Sequence, residues 1–233
     1  LSKIEEEKFT KELQPVYKAI EKVRDNKIIR DKDLIGFVGA PWTVLVYMLN
    51  KQSPKKKINQ ELLKNKNLVS KLFEILDKFL KLHIKKQVEN GATVIQIFDS
   101  WSGLVDDKNL DEFIYKPTLS LVNFVKSLKV PVICFPRNIK NYKNFVSSVQ
   151  PDAINIDYNV DLNKISTELD IPIQGGLDPK ILLSDKENLK KKAKHYLDIF
   201  KDHPYIFNLG HGVLPETKPE MVDYLVKFIK SYK

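Results

Sequence analysis

Short apolar runs alternate with longer stretches in which apolar residues recur every three or four positions, from one end of the chain to the other. Residues 1–25 have helical spacing (Ile4, Phe9, Leu13, Val16, Ile20, Val23), interrupted at Pro15. Leu34–Gly39 predicts a first strand. It is followed by a helix opening near Thr43 and a lysine-rich loop around residues 51–58. A long amphipathic helix runs from about Leu68 to Glu89, with Leu72, Leu76, Phe79 and His83 on its apolar face, and Asn90-Gly91 ends it. Thr93–Phe98 is the second strand and residues 109–128 the next helix. Val130–Phe135 is the third strand, followed by a short helix over 139–149. Ala153–Ile156, Ile171–Gln174 and Tyr205–Leu209 predict three further strands, with helices over roughly 161–168, 179–201 and 217–232.

Strands that alternate with helices build βαβ units and a parallel sheet, whose strands read as short apolar runs because both faces are covered. A doubly wound sheet and a (β/α)8 barrel both satisfy this pattern. The first usually carries a glycine-rich phosphate loop, and neither the dinucleotide nor the nucleotide form occurs here. The barrel is therefore favoured, with six strands where closure takes eight. No linker-like break divides the chain, so residues 1–233 are expected to form a single domain.

The polar residues fall in a telling place. After the six strand runs come GAPWT (39–43), DSWSG (99–103), PRN (136–138), DYN (157–159), GGLDP (175–179) and GHG (210–212). Ligands bind at the carboxyl ends of strands in barrels and open sheets alike, so these turns are candidates to line a cleft. Alternation along 93–100 puts Gln96, Phe98 and Ser100 on one side of the strand and Ile95, Ile97 and Asp99 on the other. Phe98 would offer an apolar ring to the mouth, and Ser100 either a hydroxyl or a helix cap. Asp99 would brace its own loop through backbone N–H groups.

His211, flanked by two glycines, would either meet a ligand or brace the turn. Tyr47 lies in the first turns of the helix after the first strand. It would serve the core, or a ligand through its hydroxyl. Arg137 at a strand end reads as an anion clamp or a structural ion pair, and Asp157 and Asp178 as loop braces or caps. His83 reads as a packing histidine, and His195 and His203 as surface and turn residues.

Composition then narrows the class. The chain has 42% hydrophobic and 30% charged residues, as an ordinary globular protein does. Its apolar runs are too short to span a membrane as a helix. One cysteine, Cys134 in an apolar strand, leaves no intramolecular disulfide, and no histidine pair has metal-ligand spacing, so no metal is expected. A soluble, cytoplasmic protein of a reducing compartment is the expectation. The formal charge is +9, from 39 Lys and Arg against 30 Asp and Glu, and only Arg24, Arg30 and Arg137 are arginines. Scattered lysines make a solvated surface rather than a nucleic-acid stripe, although the positive potential would draw in an anion. The chain begins at Leu1 and goes straight into helix-like sequence, which suggests a missing amino-terminal part.

Four strings, LIGFVGAPWTVLVYML (34–49), IQIFDSWSG (95–103), IQGGLDP (173–179) and FNLGHGVLPET (207–217), in this order and spacing resemble the uroporphyrinogen decarboxylase family. The resemblance runs from about residue 30 to the end. It implies a (β/α)8 barrel that acts as a homodimer without metal or organic cofactor. The implied reaction removes carbon dioxide from the four acetate side chains of uroporphyrinogen III, giving coproporphyrinogen III for haem biosynthesis. Tyr47, Ser100 and His211 match the family's substrate-binding tyrosine, hydroxyl residue and histidine, and Phe98 matches a ring that packs on the tetrapyrrole.

The family's RQAGR-type segment and FSD-type strand end, with its proposed proton donor and its central aspartate, have no counterpart here. The expectation is an amino-terminally truncated member, weak or inactive alone, with unpaired sheet edges that invite aggregation or a partner. Two internal departures are FPRNIKNYKNF (135–145), where members often carry a glycine-rich stretch, and Tyr158, where they often have tryptophan. A non-catalytic tetrapyrrole-binding protein is the alternative. A corrinoid-linked methyltransferase is a more distant one, because its histidine–cysteine zinc site needs more than one cysteine.

Overall fold

The structure is a computed structural model and describes residues 5–29, 31–50 and 65–232. Ile4 and the lysine-rich loop at 51–58 lie outside the described residues. Chain contacts group the molecule into two compact units, 1–152 and 153–233.

The first unit opens with α1 (Glu6–Glu12) and α2 (Gln14–Arg24). Pro15 sits in the first turn of α2, where its missing N–H would have no helical partner, so it starts a second helix rather than kinking a single one. β1 (Ile35–Gly39) leads into α3 (Pro41–Asn50). α4 (Lys66–Glu89) is capped by Asn65, whose side chain accepts from the Leu68 N–H. β2 (Val94–Asp99) is followed by α5 (Lys116–Ser127), then β3 (Val132–Pro136) and α6 (Tyr142–Val149), which Asn141 caps. The helix predicted over 109–128 begins differently. A 3-10 turn (Asp107–Asn109) and a π-helical turn (Asp111–Tyr115) precede α5 and aim Phe113 and Ile114 into the core.

β1, β2 and β3 pair in parallel, with Gly39 opposite Phe98 and Phe98 opposite Phe135. Ile95 and Ile97 of β2 and Leu121, Val122 and Val125 of α5 are all buried in the core. β1 has β2 as its strand partner among the described residues. On its other side the buried amide of Gln87, from α4, accepts from the Phe37 N–H at 2.9 Å and donates to the Phe37 carbonyl at 3.0 Å. A helix side chain thus occupies backbone groups that a further strand would use. Ile35 and Phe37 are exposed on this strand, at 43% and 63%. His83 packs as expected, its Nδ1 3.1 Å from the Tyr17 hydroxyl and the two rings in tilted contact. Burial lowers its pKa and raises that of Tyr17.

The second unit contains β4 (Ala153–Ile156), α7 (Leu162–Glu168), β5 (Ile173–Gly175), α8 (Lys186–Ile199), β6 (Tyr205–Ile206) and α9 (Pro219–Ser231). Its strands are parallel and adjacent in chain order. Asp161 and Asp185 cap α7 and α8. The helix predicted over 179–201 is divided: Pro179–Leu183 form a 3-10 turn, and Ser184-Asp185 restart the chain as α8. Strand six is shorter than its apolar run, ending at Ile206, with one further bridge between Leu177 and Leu209. Gly175 and Gly176 adopt positive φ, at 86° and 95°, which lets the chain turn out of β5. The Tyr196 and Tyr205 hydroxyls donate to the Gly176 and Gly175 carbonyls there, at 2.5 and 2.7 Å. An apolar groove of about 390 Å³ in this unit is lined by residues including Phe207, Leu209, Val213, Val222 and Val226. Among the described residues no helix is long and apolar enough to cross a membrane.

Candidate functional site

The carboxyl ends of β1 and β2 are joined by a small hydrogen-bonded network. The Ala40 N–H donates to the Phe98 carbonyl at 2.8 Å, continuing the β1–β2 ladder into the first turn of α3. One step further Thr43 donates its hydroxyl to Asp99 Oδ1 at 2.6 Å and accepts the Trp101 backbone N–H at 3.2 Å. The Trp42 indole N–H donates to the Trp101 carbonyl at 3.1 Å, while its ring stacks on Phe113. On the far side Ser102 donates to the carbonyls of Asp99 and Arg137, and the Arg137 N–H donates to the Asp99 carbonyl. Gly103 lies so close to Asn138 that a Cβ would come within 2.5 Å of the Asn138 Cβ. DSWSG is therefore pinned between α3 and the turn after β3.

This pinning decides where the candidate residues stand. Tyr47 is one helical turn beyond Thr43 and is 43% exposed, its ring edge-on to Trp101 at 6.0 Å, so it is not a core residue. Ser100 is half-buried, directly before Trp101. Phe98 is half-buried on the face opposite Ile97. It meets Phe37 and Phe135 edge-on at 5.9 and 6.0 Å, so one apolar row crosses all three strands. Tyr47, Phe98 and Ser100 thus belong to one neighbourhood at the strand ends of the first unit.

Asp99 is buried, and desolvation raises its pKa to about 7, offset in part by the Thr43 hydroxyl and the Trp101 N–H. Cys134 is buried in β3, and burial followed by the charge of Asp99 pushes its thiol well up, as befits a packing residue. Arg137 is half-buried at the end of β3.

His211 belongs to the second unit and follows β6. It is exposed, and its Nδ1 accepts the Gly212 backbone N–H at 2.7 Å. An Nδ1 that accepts leaves the ring proton on Nε2, the tautomer that donates from the outer edge of the ring. Gly210 makes this turn possible. A Cβ there would lie 2.6 Å from the Tyr158 backbone nitrogen, so the chain passes tightly against the DYN turn after β4. Asp157 is buried, and Asp178 accepts the Lys180 N–H at 2.9 Å as a cap. Each nitrogen of the His203 ring meets a carbonyl oxygen, and His195 is an exposed helix residue. Among the described residues no group of three or more His, Cys, Asp or Glu is placed to hold a metal ion.

Thr43 and Trp101 are the site-forming residues that the sequence reading did not single out. Their only signal was membership of the GAPWT and DSWSG turns, since the contacts between them span 58 residues of chain.

Six strands, each followed by a helix, with polar turns at their carboxyl ends, place the molecule in the α/β class of (β/α)8 TIM barrels, six β/α units of which are described. Its fold is similar to that of a methyltransferase from Methanosarcina mazei, with a TM-score of 0.73 at 18% identity, over 92% of this chain and 63% of that one. It is also similar to a B12-independent methionine synthase from Shewanella sp. W3-18-1, with a TM-score of 0.59 at 11% identity, over 92% of this chain and 64% of that one. These likenesses concern the fold alone.

The chain belongs to the uroporphyrinogen decarboxylase family, whose model, described as Uroporphyrinogen decarboxylase (URO-D), matches residues 1–232. Among its relatives are uroporphyrinogen decarboxylases of Wolbachia pipientis wMel, 39% identical over 221 residues, and Rickettsia bellii, 36% identical over 227. These alignments cover 94% and 95% of this chain but 65% and 66% of the relatives, so the chain spans just under two thirds of their length.

Proposed function

We propose that this chain serves the decarboxylation of the four acetate side chains of uroporphyrinogen III to methyl groups, giving coproporphyrinogen III and four molecules of carbon dioxide. Family membership supports the reaction class. The observation that carries the reading for this chain is positional: Phe98 and Ser100 stand at the carboxyl end of β2, and Tyr47 and His211 on the segments that follow the carboxyl ends of β1 and β6, the side on which barrels bind their ligands.

The chemistry suits these residue types. In each turn the bond between the acetate methylene and its carboxylate breaks, and carbon dioxide leaves. The electron pair flows into the protonated pyrrole ring, a proton added to the methylene completes the methyl group, and loss of the ring proton restores the pyrrole. Tyr47 and Ser100 supply hydroxyl donors, and His211 supplies an Nε2–H, to the carboxylates that are not reacting. The Phe98 ring packs on the face of the macrocycle. Such groups act by holding the substrate in register, and each commonly contributes on the order of 1–3 kcal/mol. The proton donor is not assigned to a residue of this chain.

The net charge of +9 favours capture of a polycarboxylate. No nucleic-acid ligand, metal or organic cofactor enters the reading. A homodimer working in the cytoplasm is the form proposed for the enzyme.

The test is anaerobic incubation of uroporphyrinogen III with the protein, followed by chromatography of the products by carboxyl number. Stepwise appearance of seven-, six-, five- and four-carboxyl species supports decarboxylation. Saturable binding without conversion would favour a non-catalytic tetrapyrrole-binding protein, and neither binding nor conversion would overturn both readings.

A further inference from the structure

We propose that Asp99 is a positioning residue for this site: through Thr43, its buried carboxylate holds the Ser100–Gly103 turn against the first turn of α3, and so sets Ser100 and Tyr47 relative to one another. The proposal rests on the functional reading above for what is positioned, but not for the network itself.

The geometry is specific. Asp99 is 2% exposed, with Thr43 Oγ1 2.6 Å from Oδ1 and no hydrogen-bond partner on the buried Oδ2. Thr43 relays the contact to the Trp101 backbone, and Trp101 in turn meets Tyr47. Burying a carboxylate with one oxygen unsatisfied is costly, and an amide of the same shape would keep the Thr43 bond without a charge. The carboxyl therefore contributes something an amide would not: a charge-assisted grip on the Thr43 hydroxyl, and through it on the Trp101 turn, that exists only while the group is ionised.

Its pKa of about 7 puts that change near neutrality. Cys134 faces it from β3, Arg137 donates its backbone N–H to the Asp99 carbonyl, and α3 presents Thr43 and, one turn on, Tyr47. Below the transition the neutral acid holds the turn more loosely, and above it the carboxylate tightens the turn.

The chain has two tryptophans, Trp42 and Trp101, and both belong to this network, so intrinsic fluorescence reports on it directly. Fluorescence of the whole protein titrated from about pH 5.5 to 8.5 should show a transition with its midpoint near 7, within reach of ordinary buffers. Asp99→Asn should abolish the transition. Thr43→Val, which removes a bond that favours the charged form, should move its midpoint upward. A flat wild-type profile, or a transition that survives in Asp99→Asn, overturns the proposal. Should Asp99→Asn fail to fold, the Thr43→Val midpoint decides, and an unmoved midpoint overturns it.

The second readout is uroporphyrinogen affinity by anaerobic equilibrium dialysis. It should weaken by about threefold or more below the wild-type midpoint, as loss of one modest contact would, and stay level with pH in Asp99→Asn. A wild-type affinity that binds but does not change across the midpoint also overturns the proposal. Absence of binding at every pH would sink the functional reading, while the fluorescence outcomes would still decide the positioning network.

Discussion

Replacing Trp42 by phenylalanine tests how firmly α3 is tied to the turn that carries Ser100. The side chain is 0% exposed, its ring lies 5.6 Å from that of Phe113 at an interplanar angle of 14°, and its N–H donates to the Trp101 carbonyl at 3.1 Å. Phenylalanine keeps an aromatic ring on Phe113 but loses the donor, at about 1 kcal/mol. It also removes roughly 40 Å³ of buried side chain, which at ~24 cal/mol per Å³ adds about 1 kcal/mol. The sum is about 2 kcal/mol, or a fall in Tm of roughly 4–8 °C for a chain of this length. Urea unfolding followed by far-UV circular dichroism measures the loss without relying on the deleted fluorophore. Because the Trp101 carbonyl is released, quenching of the remaining tryptophan by acrylamide should rise in the folded protein. A loss below about 0.5 kcal/mol would refute the reasoning, since it would mean the bond and the packing hold nothing together. So would an unchanged quenching constant at the expected loss.

Three further outcomes follow from the same geometry. Gly176→Ala should cost about 2 kcal/mol, because φ is 95° and the new Cβ would lie 2.9 Å from the Tyr196 ring; an unchanged Tm would contradict the turn described here. Burial holds the His83 pKa below its ordinary 6.5, so the unfolded chain takes up a proton first on acidification. The stability this neutral ring contributes is complete above the unfolded pKa and is lost as pH falls from there toward the folded one. Wild-type stability should therefore fall more steeply than that of His83→Gln below about pH 6.5, and parallel slopes would refute the assignment. Cys134 should resist iodoacetamide in the native protein and react once unfolded, because burial disfavours its thiolate; rapid native labelling would contradict its place in β3.

Much of the fold was legible because each element carries its own local signal. The strand runs fall within two residues of the observed strands at most ends, and the helices expected over 139–149 and 161–168 start behind Asn141 and Asp161, whose side chains cap them. The misses have local causes too. Pro15 reads as a break but is equally at home in a first helical turn, and the 179–201 pattern hid the restart at Asp185. Strand six is short because Leu209 makes a single bridge to Leu177 beyond two unpaired positions, which apolar character alone does not reveal.

The candidate site reads in the sequence as a set of turns and not as a network. Tyr47, Ser100 and His211 stood out by position and resemblance. The Thr43–Asp99 bond joins residues 56 apart, and the tautomer of His211 hangs on one backbone N–H. Periodicity carries no information about either. Gln87 gives the same lesson, because a polar residue near the end of an amphipathic helix reads as surface until β1 is placed beside it.

The central claim is that these turns hold a tetrapyrrole polycarboxylate, and equilibrium dialysis of uroporphyrinogen under nitrogen tests it most directly, using wild-type protein beside Tyr47→Phe, Ser100→Ala and His211→Ala. The account predicts saturable binding that weakens by about 5- to 150-fold in each variant, the equivalent of roughly 1–3 kcal/mol, with melting temperatures close to wild type. Equal affinity in all four proteins, or losses that only track loss of fold, would contradict it.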